Sequence, residues 1–246
     1  MSWVEQAKRR AAEAAAAHVE SGTVIGLGSG STAAYFIRTI GSRLQSGHLK
    51  EVLGVPTSHQ TTAEAVGAGV PLTTLDEHPE LDLSVDGADQ INEGLEAIKG
   101  GGGALLREKV VASASKRYII IADERKLTQR LGEGCPLPLE VLPFSLGPVL
   151  RRVENMGANA ITRISQRKQE PVVTDNGNFI VDADFGYIED PWRIEKELKA
   201  VPGVLETGMF LGYADLAYIG TPEGVRELRS SMDMQHGSVL RPNKRV

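Results

Sequence analysis

Three observations predict an α/β protein whose doubly wound, mostly parallel sheet domain carries a smaller, inserted ferredoxin-like α+β domain. Over residues 1–134, short runs rich in leucine and β-branched residues alternate with alanine-rich stretches of helical composition. Over residues 135–207 the order changes to strand, helix, strand, strand, helix, strand. Two glycine-rich loops stand at the carboxyl ends of strands, the edge at which open parallel sheets bind ligands. The 246 residues are long for one domain and comfortable for two, so a sizeable core needs neither disulfides nor structural metals.

Taken in order, residues 1–19 are charged and alanine-rich without an apolar h-region, which predicts a helix and not a signal peptide. Residues 23–27 read as the first strand, Gly26, Gly28 and Gly30 as a tight loop, and residues 31–44 as a helix opened by Ser31 and Thr32. Further strands are expected at 51–55, 72–75, 81–85 and 118–122, with helices at 59–68 and 103–115. After Gly134 come a strand at 137–142, a helix at 145–156, a strand at 159–164, a hairpin turning at Asn176-Gly177, a helix at 191–200 and a strand at 203–207. A strand at 213–219 and a helix at 222–229 then restore the α/β pattern. Residues 1–134 and 208–229 are therefore expected to form one domain, 135–207 the inserted one, and 230–246 a polar C-terminal tail.

Composition excludes several classes of function. A single cysteine, Cys135, rules out an internal disulfide and fits a reducing compartment. A net charge of −5 disfavours nonspecific nucleic-acid binding. No stretch approaches the ~20 apolar residues of a membrane span, so a cytoplasmic protein is expected. The histidines at 18, 48, 59, 78 and 236 lack metal-ligand spacing.

Chemistry concentrates in residues 84–109, SVDGADQINEGLEAIKGGGGALLREK. Asp86-Gly87-Ala88-Asp89 is turn chemistry at the end of a buried strand, and alone would be only a turn. Glu108, between Arg107 and Lys109, would alone be a solvated helix face. Four consecutive glycines are harder to dismiss, because each costs roughly 1 kcal/mol of extra backbone entropy when ordered. Their amides sit where a helix begins and can approach an oxygen-rich ligand.

The first loop, GLGSGST at 26–32, fails two commoner tests. A dinucleotide fingerprint needs glycine where Ser31 stands, and the next strand ends in Pro56-Thr57 without a ribose-binding acid. An ATP-type P-loop needs a lysine that is missing. Hydroxyls in their place suit a small phosphate or sugar.

SVDGAD, IKGGGGALLREK and GLGSGST together resemble the signature blocks of the A-type ribose-5-phosphate isomerases. TSHQTTAEA at 57–65, IIIADERKL at 119–127, PLPLEVLPF at 136–144, VVTDNGNFIVD at 172–182 and PGVLETGMF at 202–210 are similar to family segments in the same order. The resemblance spans roughly residues 3–229 and implies interconversion of D-ribose 5-phosphate and D-ribulose 5-phosphate through a cis-enediolate, a step of the non-oxidative pentose phosphate pathway. It assigns Glu108 as base, Asp86 and Asp89 as the acids that handle hydroxyl protons and ring opening, and Lys99 as the charge that stabilises the enediolate. Backbone amides around Gly87, Ala88, Gly100, Gly101 and Gly102 would assist. Ser29, Gly30, Ser31 and Thr32, with Lys8 and Lys126, match the phosphate-binding positions. Neither lysine would be singled out without the family.

The resemblance further implies no cofactor, no metal and a homodimer or homotetramer. The chain departs from the usual pattern at Gln90, where Glu is common, at Leu106, where Thr commonly precedes REK, and at Ser29, where Thr is common. None of these removes a proposed catalytic group. Two rivals remain: a sugar-phosphate-sensing effector module, which would lack the base or carry a DNA-binding helix-turn-helix, and a nucleotide-dependent dehydrogenase, disfavoured by the first loop.

Overall fold

The computed structural model describes residues 2–165 and 169–229, so the tail expected at 230–246 lies outside the described residues. Helix α1 (Trp3–Ala16) starts at a capping box: the Ser2 hydroxyl accepts from the Glu5 amide and the Glu5 carboxylate accepts from the Ser2 amide. Its alanine face is fully buried, which lets α1 lie close against the sheet. Then follow β1 (Val24–Leu27), α2 (Ser31–Gln45), β2 (Leu53–Pro56), α3 (His59–Ala68), β3 (Leu81–Asp86), β4 (Gln90–Ile91), β5 (Ala97–Ile98), α4 (Leu105–Ser113) and β6 (Ser115–Asp123). The chain continues through β7 (Leu137–Val141), α5 (Leu146–Asn155), β8 (Asn159–Thr162), β9 (Phe179–Asp184), α6 (Pro191–Lys199), β10 (Val204–Thr207), β11 (Met209–Phe210), β12 (Leu216–Gly220) and β13 (Val225–Arg229).

The main sheet has the order β13-β12-β6-β3-β1-β2, parallel except for β13 at its edge. Ile25, Leu27, Val85, Ile119 and Ile121 from its centre pack against Phe36, Ile37 and Ile40 of α2 and the alanines of α1. A near-continuous apolar run such as Tyr118–Ala122 is what a strand covered on both faces requires. The smaller unit is an antiparallel sheet of order β10-β7-β9-β8 covered by α5 and α6, the ferredoxin-like arrangement. It is inserted between β6 and β12 of the main sheet.

Three local expectations are corrected. Residues 222–229 form no helix: Val225–Arg229 is an edge strand antiparallel to β12. The reason is the turn Thr221-Pro222-Glu223-Gly224, closed by the Thr221 amide on the Gly224 carbonyl at 2.8 Å, which returns the chain immediately onto a free sheet edge. Residues 72–75 make only a single parallel bridge, Leu72 to Gly54, because Pro56 of β2 has no N–H for the next ladder bond and the chain turns at Thr74, whose carbonyl accepts from the His78 amide at 3.0 Å. A third sheet, β11-β5-β4, was not expected, since two-residue strands carry no readable period.

Candidate active site

Asp86 ends β3 and therefore emerges at the carboxyl edge of the main sheet. One of its oxygens, Oδ1, accepts from the Ser29 amide at 3.0 Å and the Gly87 amide at 2.7 Å. The first loop can come this close only because residue 28 is glycine: a Cβ there would lie 2.2 Å from Asp86 Oδ1. The two signature loops are thus joined at Asp86.

Lys99 leaves β5 with its backbone amide bonded to the Gly208 carbonyl at 2.8 Å, an anchor supplied by the segment just before β11. Its ammonium donates to the Gly87 carbonyl at 2.6 Å and lies 3.1 Å from Asp86 Oδ2 and 3.2 Å from Glu108 Oε2. The two carboxylate contacts are ionic in distance, but neither of these oxygens accepts a well-directed hydrogen bond from protein. The same ammonium stands 5.2 Å from the centre of the Phe210 ring. Glu108 comes from the first turn of α4 and points inward. At 2 %, 2 % and 5 % exposure, Asp86, Lys99 and Glu108 are a desolvated triad of two negative charges and one positive.

That imbalance sets the protonation. Burial, reinforced by the charge of Asp86, pushes Glu108 up from 4.5 to about 8 despite Lys99. Burial also raises Asp86, outweighing Lys99 and the two backbone amides. Lys99 is held well above its usual value: burial alone would lower it, but the two carboxylates reverse the sign.

The triad forms the floor of a cavity of about 330 Å³. Lys99 and Glu108 line it, whereas Asp86 lies just beneath, reaching it through Lys99. Gly87, Ala88 and half-buried Asp89 form one wall and Gly100, Gly101 and Gly102 the adjoining one. Asp89 Oδ2 accepts from the Gly101 amide at 2.7 Å, and a Cβ on Gly101 would lie 2.7 Å from Asp89 Oδ1. The first loop lines it with Ser29, whose amide is held by Asp86, and with Gly30, Ser31 and Thr32; Lys8 and Lys126 line it too. No side chain caps α2 at Gly30, whose φ of 92° suits glycine, and the Lys8 ammonium donates to Ser31 Oγ at 2.8 Å. Ser29 differs from its neighbours, because its hydroxyl faces those of Thr57, Ser58 and Thr61 at 2.9, 2.9 and 3.0 Å.

The candidate catalytic and binding residues thus gather at one place, all lining the cavity except Asp86, which lies beneath it. Sequence reasoning missed Ser58, Gln60, Arg125 and the wall from Val172 to Asp175 that the inserted unit contributes. Arg125 had a signal, being adjacent to Lys126. The wall had one in the Asn176-Gly177 turn, which points the hairpin tip at α3 and α4: Asp175 accepts from the His59 amide at 2.7 Å, and Arg107 Nε donates to Asn176 Oδ1 at 2.7 Å. The solvated-helix reading of the REK segment is also displaced. Lys109 is buried, 2.9 Å from Glu206 and 3.3 Å from Glu195, and so ties α4 to β10 and α6. Cys135 is half-buried, and burial pushes its thiol up to about 11, so it is protonated and unreactive at neutral pH. Among the described residues no helix is long and apolar enough to cross a membrane.

The family model for ribose 5-phosphate isomerase A (phosphoriboisomerase A) matches residues 53–224. A ribose-5-phosphate isomerase A of Roseiflexus castenholzii is 49 % identical over 221 residues, covering 90 % of this chain and 94 % of the relative. One of Thermococcus kodakarensis is 45 % identical over 225 residues, covering 92 % and 98 %. Among solved structures, a D-ribose-5-phosphate isomerase in complex with phospho-erythronic acid superposes with a TM-score of 0.90 at 42 % identity, covering 93 % of this chain and all of the other (100 %). Ribose 5-phosphate isomerase from Plasmodium falciparum gives 0.87 at 38 % identity, covering 92 % and 99 %.

Proposed function

The chain belongs to the ribose 5-phosphate isomerase A family and is an aldose-ketose isomerase interconverting D-ribose 5-phosphate and D-ribulose 5-phosphate; from that premise we propose that Glu108 is the base that carries the proton between C2 and C1. The observation that carries this reading is the buried triad on the cavity floor, where Glu108 Oε2 and Asp86 Oδ2 flank one ammonium at 3.2 and 3.1 Å. A carboxyl pushed to about 8 is matched to taking a proton from carbon near neutral pH and returning it.

As the C2 proton leaves, charge grows on the carbonyl oxygen. Lys99 meets that charge without rearranging, helped by amides of the glycine loop, from a position that is itself almost fully buried. Asp89, which lines the cavity, passes the hydroxyl protons that ring opening and enediol interconversion require, and Asp86 acts on them from beneath through Lys99. The phosphate is held by the uncapped start of α2, the hydroxyls of Ser31 and Thr32, and the charges of Lys8 and Lys126, to which Arg125 is added. Lys99 already fills the space between the two carboxylates, which supports a metal-independent reaction. Residues 1–134 and 208–229 are read as the catalytic domain and 135–207 as the insert, supported by the membership of β12 in the main sheet.

We read the enzyme as cytoplasmic, with no nucleic-acid partner, and as a homodimer or homotetramer. Exposed apolar side chains on the insert, Leu142 and Phe144 (95 % exposed), support self-association, and sedimentation in an analytical ultracentrifuge checks it.

Solvent-deuterium incorporation into recovered substrate tests the assignment of the base. Wild-type enzyme should exchange and Glu108→Gln should not; near wild-type exchange in the variant would give proton abstraction to another residue. Ketose formation should be unchanged by a chelator. Phospho-erythronic acid, whose planar carboxylate imitates the enediolate, should inhibit competitively and more tightly than inorganic phosphate.

A further inference from the structure

Arg163, just after β8, belongs to the inserted unit and is absent from the cavity lining. Its guanidinium nevertheless reaches the catalytic glycine loop. One nitrogen, Nη1, donates to the carbonyls of both Gly100 and Gly101 at 2.9 Å each. The other edge of the fork is gripped by Asp182 of β9: Nε donates to Oδ2 at 2.8 Å and Nη2 to Oδ1. The Gly100 carbonyl also accepts from the Gly103 amide at 2.9 Å, so the loop is a closed turn whose outward oxygens meet a single cation.

A trans peptide carries its C=O and N–H on opposite sides. Holding the Gly100 carbonyl outward therefore aims the Gly101 amide inward, and that amide is the one bonded to Asp89 Oδ2 at 2.7 Å. Holding the Gly101 carbonyl outward likewise aims the Gly102 amide to the cavity side, where Gly102 forms part of the wall. Glycine peptides have no side chain to set these planes, and within the loop only the Gly103 amide restrains the Gly100 carbonyl, so contacts from outside must complete the setting. A cation on the carbonyl oxygen also polarises the peptide and makes the opposite N–H a stronger donor.

We infer that Arg163, braced by Asp182, is a positioning residue for the isomerisation: it sets the peptide planes of Gly100–Gly102 so that their amides hold Asp89 and face the enediolate oxygen. This rests on the reading of the cavity given above. The inserted unit then acts on the chemistry from behind the glycine loop, as well as walling the pocket.

The test measures kcat, KM and the inhibition constants of phospho-erythronic acid and inorganic phosphate for wild type, Arg163→Gln and Asp182→Asn, with melting temperatures alongside. Arg163→Gln should lower kcat about tenfold and weaken phospho-erythronic acid about tenfold, on the scale of misaligned oxyanion donors. Inorganic phosphate inhibition should stay within about twofold, because the phosphate end is untouched. Asp182→Asn leaves the loop and Arg163 intact and should act in the same sense by about threefold; it carries the test if Arg163→Gln does not fold. Equal weakening of both inhibitors would make Arg163 a general latch between the two units and overturn the inference, as would wild-type values for both. A wild-type enzyme that did not prefer phospho-erythronic acid to inorganic phosphate would instead sink the reading of the cavity, and this inference with it.

Discussion

The two ends of the cavity are built on opposite principles. Asp86, Lys99 and Glu108 are desolvated side chains whose charges would not cancel if all three were ionised, so their protonation is displaced from ordinary values. The part we read as the phosphate site offers backbone amides at the start of α2, small hydroxyls and solvent-reaching lysine, with Ser31 and Thr32 at least partly exposed. A non-reacting dianion needs attraction that is the same before and during reaction. The reacting carbons need groups whose energy changes as charge moves, and only a desolvated site makes that change large.

The sharpest way to break this contrast is Glu108→Gln. Shape is kept but no proton can be accepted, so kcat should fall by about 10²-fold or more while substrate binding survives. A mild loss there, with Asp86→Asn fatal, would move the base to Asp86. Lys99→Met should lower kcat by about 10²-fold as well and remove the partner of two buried carboxylates, so a lower melting temperature should accompany it. At the other end, Ser31→Ala with Thr32→Ala should raise KM about tenfold at nearly constant kcat; a fall in kcat alone would show that this loop had been given the wrong role.

Two smaller effects follow from the displaced carboxyl. In the free enzyme Glu108 is protonated below about 8, so kcat/KM should rise with pH to a limb near 8 that Glu108→Gln abolishes. For stability the sign is opposite. The unfolded chain loses this proton near 4.5 and the folded one only near 8, so the contribution is present below 4.5 and lost as pH rises through 8. At pH 8 Glu108→Gln should therefore melt above wild type, with the difference vanishing near pH 4. Calorimetry across that range checks it.

Legibility in the sequence followed the same division. Strands β1 and β12 and the Tyr118–Ala122 stretch of β6 are near-continuous apolar runs, and the insert announced itself by a changed order of elements. Glu108 and Lys109, read alone as a solvated face, are both buried, because α4 lies between the cavity floor and the insert: Lys99 on the floor partners one, and Glu195 and Glu206 of the insert partner the other. No local pattern encodes such a partner. The Val172–Asp175 wall and Arg163 were missed for the same reason, since they meet the glycine loop more than 60 residues away in sequence. Val225–Arg229 was lost to propensity: its charged residues favour helix until a four-residue turn beside a free edge decides otherwise.

The anchor of Lys99 on Gly208 has a consequence for how the chain matures. That hydrogen bond spans the whole insert, as does the β5–β11 ladder that supports it, so a nascent chain that has emerged only as far as β6 holds Asp86 and Glu108 without the backbone restraint that places their cation. Two buried carboxylates lacking that neutralisation oppose closure of the floor. Catalytic competence must then be among the last properties acquired during synthesis, and in refolding from denaturant turnover should return after the far-ultraviolet dichroism of the helices has already recovered.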